Sequence, residues 1–192
     1  MPRRFRQSLL VGSILWLSWL GMMLFHECGH VVGAVATGGT VRRVVWHPAV
    51  MSRTDVRPNP HPLIEVAAGP LFGSAVPVAI ATAASLIRVR VAYLLWVVAG
   101  FCLIANGAYI GVGAIRPIGD AAELAAHGMP RWPMAAFGLL GVAAGFSVWH
   151  RTSPRLGFGD APQEISSRHA YVNSALAVLV TVVGIAFGDR GI

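Results

Sequence analysis

The residues with the greatest chemical capacity in this 192-residue chain are His26, Glu27 and His30, in the string Phe25-His26-Glu27-Cys28-Gly29-His30. They follow an uncharged apolar stretch, Ser8 to Phe25, and apolar character resumes after His30 as far as Ala36. Charged groups inside such a stretch are expensive, about 2.5–3.5 kcal/mol for an aspartate or a basic residue at mid-helix. A pair of histidines bonded to neighbouring helices, with Glu27 protonated, recovers only about 0.6 kcal/mol per hydrogen bond. Metal coordination recovers more. At about 100° per residue, His26 and His30 lie some 40° apart and one turn separated, so both imidazoles reach one zinc ion. Glu27 lies beside that line, placed to take a proton from a water rather than to ligate. Cys28 points about 200° from His26 and is a poor ligand.

Two histidines do not complete a zinc site, because a catalytic zinc takes three protein ligands and keeps one open position. Alternate membrane spans run in the same direction, so the end of the first span and the end of the third face the same side. Asp120 lies just beyond the third apolar run, in Ile115-Arg116-Pro117-Ile118-Gly119-Asp120. Glu123, His127, His47, His61 and Asp55 are further candidates on that side. Asp120 has a competing use, because Asp120-Ala121-Ala122-Glu123 also reads as an N-cap opening a short helix through Ala126. Glu65 reads as an interfacial residue, and His150 and His169 as surface residues on the opposite side.

The elements that must position these groups are membrane helices. The chain is 55% hydrophobic and 12% charged, about half the charge of a soluble domain. Its mean hydropathy is +0.64. Apolar runs at Ser8–Phe25, Val66–Ile87, Val91–Ile115, Met134–Trp149 and Ala170–Phe187 give about five spans, the fourth short enough to be tilted or only partly inserted. The net charge of +7 comes entirely from arginine, with no lysine. The arginines cluster between the apolar runs rather than along a stripe, which fits anchors at a lipid bilayer and excludes nucleic acid as a partner. Eight of them (Arg3, Arg4, Arg6, Arg88, Arg90, Arg151, Arg155 and Arg168) fall on one side. Seven (Arg42, Arg43, Arg53, Arg57, Arg116, Arg131 and Arg190) fall on the other, too even a division to orient the chain. The start also has the look of a signal peptide with a cleavage site at Ala34-Val35-Ala36, but such an apolar region does not run into His-Glu-Cys-Gly-His. Only Cys28 and Cys102 are present, which excludes a disulfide scaffold.

At these residues the chain resembles the site-2 protease class of intramembrane zinc metalloproteases, in its compact bacterial branch without inserted domains. The likeness rests on Phe25-His26-Glu27-Cys28-Gly29-His30 with Ala34 and Thr37-Gly38-Gly39, on Ala68-Gly69-Pro70-Leu71, and on Asn106, Pro117 and Asp120. It covers residues 10–125. The resemblance implies that His26, His30 and Asp120 bind one Zn2+ per chain. It implies that Glu27 acts as general base and then general acid, and that Asn106 positions the scissile peptide or donates to the oxyanion. An interhelical hydrogen bond is the competing use of Asn106. The family commonly reads Asp-Gly, whereas here Gly119 precedes Asp120 and Ala121 follows it. The family's usual orientation places the active-site face at the cytoplasm, and the Arg3, Arg4 and Arg6 cluster favours the reverse.

Cleaving a peptide bond within a membrane helix requires the substrate to unwind, and an edge strand in the enzyme would pair with the extended chain. The β-branched segment Thr40 to Trp46 could be that strand, with Val44, Val45 and Trp46 touching substrate and Val50 to Val56 pairing beside it. An interfacial loop with Trp46 anchored at the headgroups is the alternative. The expectation is thus an all-α polytopic membrane protein, one membrane domain over residues 1–192. A metalloprotease-like core occupies 8–125, a short β-hairpin lies near 40–57, and two additional helices occupy 134–187. The expected protein is multi-pass in a bacterial plasma membrane and hydrolyses a peptide bond in or near a transmembrane segment of a membrane-protein substrate. The rival readings are a zinc-binding pseudoprotease that only binds clients, a small metal-handling or transport protein, and a structural membrane subunit.

Overall fold

The computed structural model describes residues 2–159 and 164–188, and Arg190 of the charge comparison lies outside the described residues. The protein is helical, with one small hairpin. Helix α1 (Arg3–Ala36) runs unbroken through the His-Glu motif. Strands β1 (Val41–Val45) and β2 (Arg53–Val56) follow as an antiparallel pair, Val44 opposite Thr54 and Val45 opposite Arg53. Then come α2 (Pro62–Leu86), α3 (Ala92–Gly113), the short α4 (Gly119–Ala126), α5 (Arg131–Thr152) with a 3-10 turn at Ser153–Leu156, and α6 (Ser167–Phe187).

Among the described residues five helices, all but α4, are long and apolar enough to cross a membrane. The fourth of them is not the short insertion its apolar run suggests. It begins at Arg131, three residues before Met134, because Pro133 falls in the first turn, where a helix needs no N–H from it. Large apolar side chains such as Leu139, Leu140, Val178 and Leu179 remain exposed on the outward faces of α5 and α6, as lipid contact requires. The regular strands are shorter than the sequence pattern suggests, since residues 50–52 stand outside the pairing, while the Thr40 backbone still bonds across to Arg57 and Pro58.

Helix α1 packs against α2, α3 and α6, and α3 packs in turn against α2 and α5. One apolar cluster, built on Leu10, Ile14, Leu94 and Val97, closes the end where α1 starts. Another, built on Val66, Ile110, Ala121 and Leu124, closes the other end. The α1–α2 crossing depends on missing side chains. A Cβ at Gly29 would meet the Ala68 carbonyl oxygen and the Gly69 Cα, and a Cβ at Gly69 would collide with the His30 imidazole. Both glycines belong to four-residue small-residue repeats, Gly29 with Gly33 and Gly69 with Gly73, which let membrane helices approach closely. The hairpin is tied down by Trp46, whose indole Nε1 donates to the Leu20 carbonyl of α1 at 3.0 Å and whose N–H donates to the Gly188 carbonyl at 2.8 Å.

Gly29→Ala is expected to destabilise the fold by about 1–3 kcal/mol through overpacking at this crossing. Gly12→Ala, on the same helix with open space around it, is expected to be neutral or stabilising by up to about 1 kcal/mol. Thermal unfolding of the two purified variants checks the contrast.

Candidate metal centre

The His26 and His30 side chains leave α1 one turn apart and point between α2, α3 and α4, with ring centroids 4.8 Å from each other. Each ring is held through Nδ1. The Asn106 amide donates through Nδ2 to the Cys102 carbonyl at 2.9 Å, which leaves its Oδ1 to accept from His26 Nδ1 at 2.7 Å. His30 Nδ1 faces two acceptors of Glu65, the carboxylate Oε1 at 2.9 Å and the backbone carbonyl at 3.2 Å. Both Nδ1 atoms therefore carry the proton, and in the neutral ring each Nε2 presents a lone pair.

Those lone pairs converge on one oxygen. His26 Nε2 lies 2.8 Å and His30 Nε2 3.4 Å from Asp120 Oδ2. One ligand atom from each of His26, His30 and Asp120 falls within 4.8 Å of the others. Burial alone would push the Asp120 carboxyl up, but when the rings are also protonated at Nε2 their hydrogen bonds outweigh that and hold it well below the usual carboxylate range. The group is an anion. Two imidazole nitrogens and a carboxylate oxygen, with the outer ring nitrogens fixed by an amide and a carboxylate, form a donor set that could hold a metal ion.

Asp120 is turned inward by its own helix end. Gly119 has φ +51°, a left-handed conformation, and a Cβ there would strike the Tyr109 hydroxyl. Gly119 thus supplies the turn from which Asp120 reaches the two histidines. The capping reading of Asp120 is not met. Ile118 occupies the cap position, no side chain caps the helix, and the Asp120 N–H donates to Tyr109 Oη at 3.0 Å.

Glu27 is buried beside the cluster, and its Oε2 accepts from Thr54 Oγ1 of β2 at 2.7 Å. Together these groups line a cavity of about 500 Å3 whose further wall is β2, from Arg53 to Asp55. The cavity wall is therefore β2 rather than β1. Val44, Val45 and Trp46 do not line it, whereas Thr54 of β2 bonds directly to Glu27 in it. Among the described residues the sheet has two strands, so one edge of β2 carries no further strand.

Of the other candidate ligands, Asp55 and Glu123 line the cavity without joining the cluster. His47 accepts from the Ala49 N–H, His127 contacts the Glu123 carbonyl, and His61 is exposed just before α2. Cys28 takes no part. Asn106 is an orienting group for His26, the interhelical bond its type allows. Glu65 is not interfacial but buried against His30, with Asn59 Nδ2 donating to its second oxygen at 3.1 Å. His150 is exposed as expected, whereas His169 is half-buried and bonded to the Tyr93 hydroxyl at 3.0 Å.

Metal-stripped protein titrated with zinc is expected to bind one ion per chain, and His26→Ala to abolish that binding. Glu65→Ala is expected to weaken it about 10–100-fold by releasing the His30 ring. Equal affinity in Glu65→Ala and the parent would contradict the orienting role.

No family model, no curated protein and no solved structure matches this chain.

Proposed function

We propose that the protein is an intramembrane zinc endopeptidase that hydrolyses a peptide bond in or near a transmembrane segment of another membrane protein. The observation that carries this reading is the convergence of His26 Nε2, His30 Nε2 and Asp120 Oδ2 beside the buried carboxylate of Glu27. The likeness of the His-Glu motif and of the Asn106, Pro117 and Asp120 pattern to site-2 proteases supports it, as does the set of five helices fit to span a bilayer.

His26, His30 and Asp120 would hold the zinc. A zinc so held acidifies a water toward neutrality and polarises a carbonyl. Glu27 removes a proton from the attacking water and returns it to the leaving amine, as a carboxylate fixed at one oxygen by Thr54 can do without swinging away. The free edge of β2 pairs with the backbone of an unwound substrate, replacing the helical hydrogen bonds that unwinding gives up in lipid. Asn106 and Glu65 keep the two rings in register throughout.

Cleavage of a model transmembrane substrate in proteoliposomes tests the assignment. Glu27→Gln is expected to keep its zinc and lose about 10²–10⁴-fold in rate, the share a general base supplies. Undiminished cleavage by Glu27→Gln would remove Glu27 as the base. Zinc retention without cleavage by the parent protein, across a panel of substrates, would favour a client-binding pseudoprotease.

A further inference from the structure

At the end of the bundle opposite the histidines, an open cavity of about 540 Å3 lies where α2 ends and α3 and α6 begin. Arg88 and Arg90 reach its wall from the α2–α3 turn, and Arg155 from the turn after α5. Among the described residues one carboxylate, Glu164, shares the wall. It is exposed, and Arg6 lies 4.0 Å from it. Among the described residues none of the three cavity arginines forms an ion pair. Arg155 instead rests 5.8 Å from the centroid of the Tyr93 ring, and the Tyr93 hydroxyl is bonded to His169. The cavity also receives the positive ends of two long helices, α3 and α6. Three cations, two helix starts and the Ser166 and His169 polar groups make it a receptacle for a phosphate-bearing anion.

A second cavity, of about 340 Å3, shares Ser85, Ala92, Tyr93 and Arg155 with the first and continues past Trp96 and Val148, with Arg151 and Thr152 at its far side. The Trp96 ring is fixed there by its Nε1, which donates to Ser85 Oγ at 2.9 Å. A charged chamber joined to one that adds the Trp96 and Val148 side chains to its wall, at one end of a set of membrane-length helices, matches one ligand shape. We infer that the two cavities together bind an anionic phospholipid, its phosphate among Arg88, Arg90 and Arg155 and an acyl chain along Trp96 and Val148. Inorganic phosphate would fill only the first chamber. The inference stands on residues remote from the metal centre and does not depend on the protease reading.

Titration of the purified full-length protein in detergent with phosphatidylglycerol or phosphatidylcholine, read by native mass spectrometry, tests the site. Phosphatidylglycerol is expected to bind in preference to phosphatidylcholine. The variant R90Q/R155Q is expected to lose about fivefold in affinity per arginine removed. R3Q/R4Q, which loses equal charge at the same end but away from the cavities, is expected to change less than twofold. R90K/R155K keeps the charge and should retain most of the binding, which guards against a folding defect in the glutamine pair. Trp96→Ala is expected to weaken the lipid without altering inorganic phosphate binding. Equal losses in R90Q/R155Q and R3Q/R4Q, absence of headgroup preference, or an unchanged lipid affinity in Trp96→Ala would overturn the inference.

Discussion

Three lone pairs meeting in an apolar interior are the constraint from which the rest of the structure follows. His26 and His30 spend their N–H groups outward, on Asn106 and Glu65, so that their unprotonated nitrogens face the Asp120 carboxylate. Left alone, that arrangement sets lone pair against lone pair, and an added proton relieves one contact at most. A divalent cation relieves all of them at once and makes use of every orienting bond around the rings.

Such convergence demands helices closer than ordinary side chains permit. Glycines at 29, 33, 69 and 73 clear the space between α1 and α2, and Gly69 is the floor on which the His30 ring lies. The same device recurs between α3 and α5, where Gly107 and Gly111 oppose Gly138. On the third side, Gly119 supplies the left-handed turn that starts α4 and swings Asp120 inward, while Tyr109 takes the N–H that a capping side chain would have taken. The hairpin completes the enclosure. Thr54 of β2 pins Glu27, and Trp46, just beyond β1, fastens the hairpin to α1.

Much of this is written locally in the chain. Apolar runs locate the five long helices because lipid demands uninterrupted apolar length, and the one-turn spacing of His26 and His30 with Glu27 between them needs no partner to be recognised. Alternation of helix direction is enough to bring Asp120 to the correct end. The rest depends on long-range pairing that no local pattern encodes. Glu65 lies 35 positions from His30, and its type alone suits a membrane interface equally well. Which strand faces the cavity is decided by how the hairpin folds over α1, not by β-branched content, and β2 rather than β1 forms its wall. Asn106 offered two uses, and only the position of the His26 ring reveals its interhelical bond. A signal for Glu65 did exist: a lone carboxylate at the start of an apolar helix, beside the glycine repeat that meets the histidine helix.

The most direct measurement is zinc K-edge X-ray absorption on the purified, zinc-loaded protein. Two imidazole nitrogens at about 2.0–2.1 Å and a carboxylate oxygen at about 2.0–2.2 Å are the signature the structure calls for. A sulfur at about 2.3 Å, or a spectrum of hydrated zinc with no imidazole scattering, would contradict it.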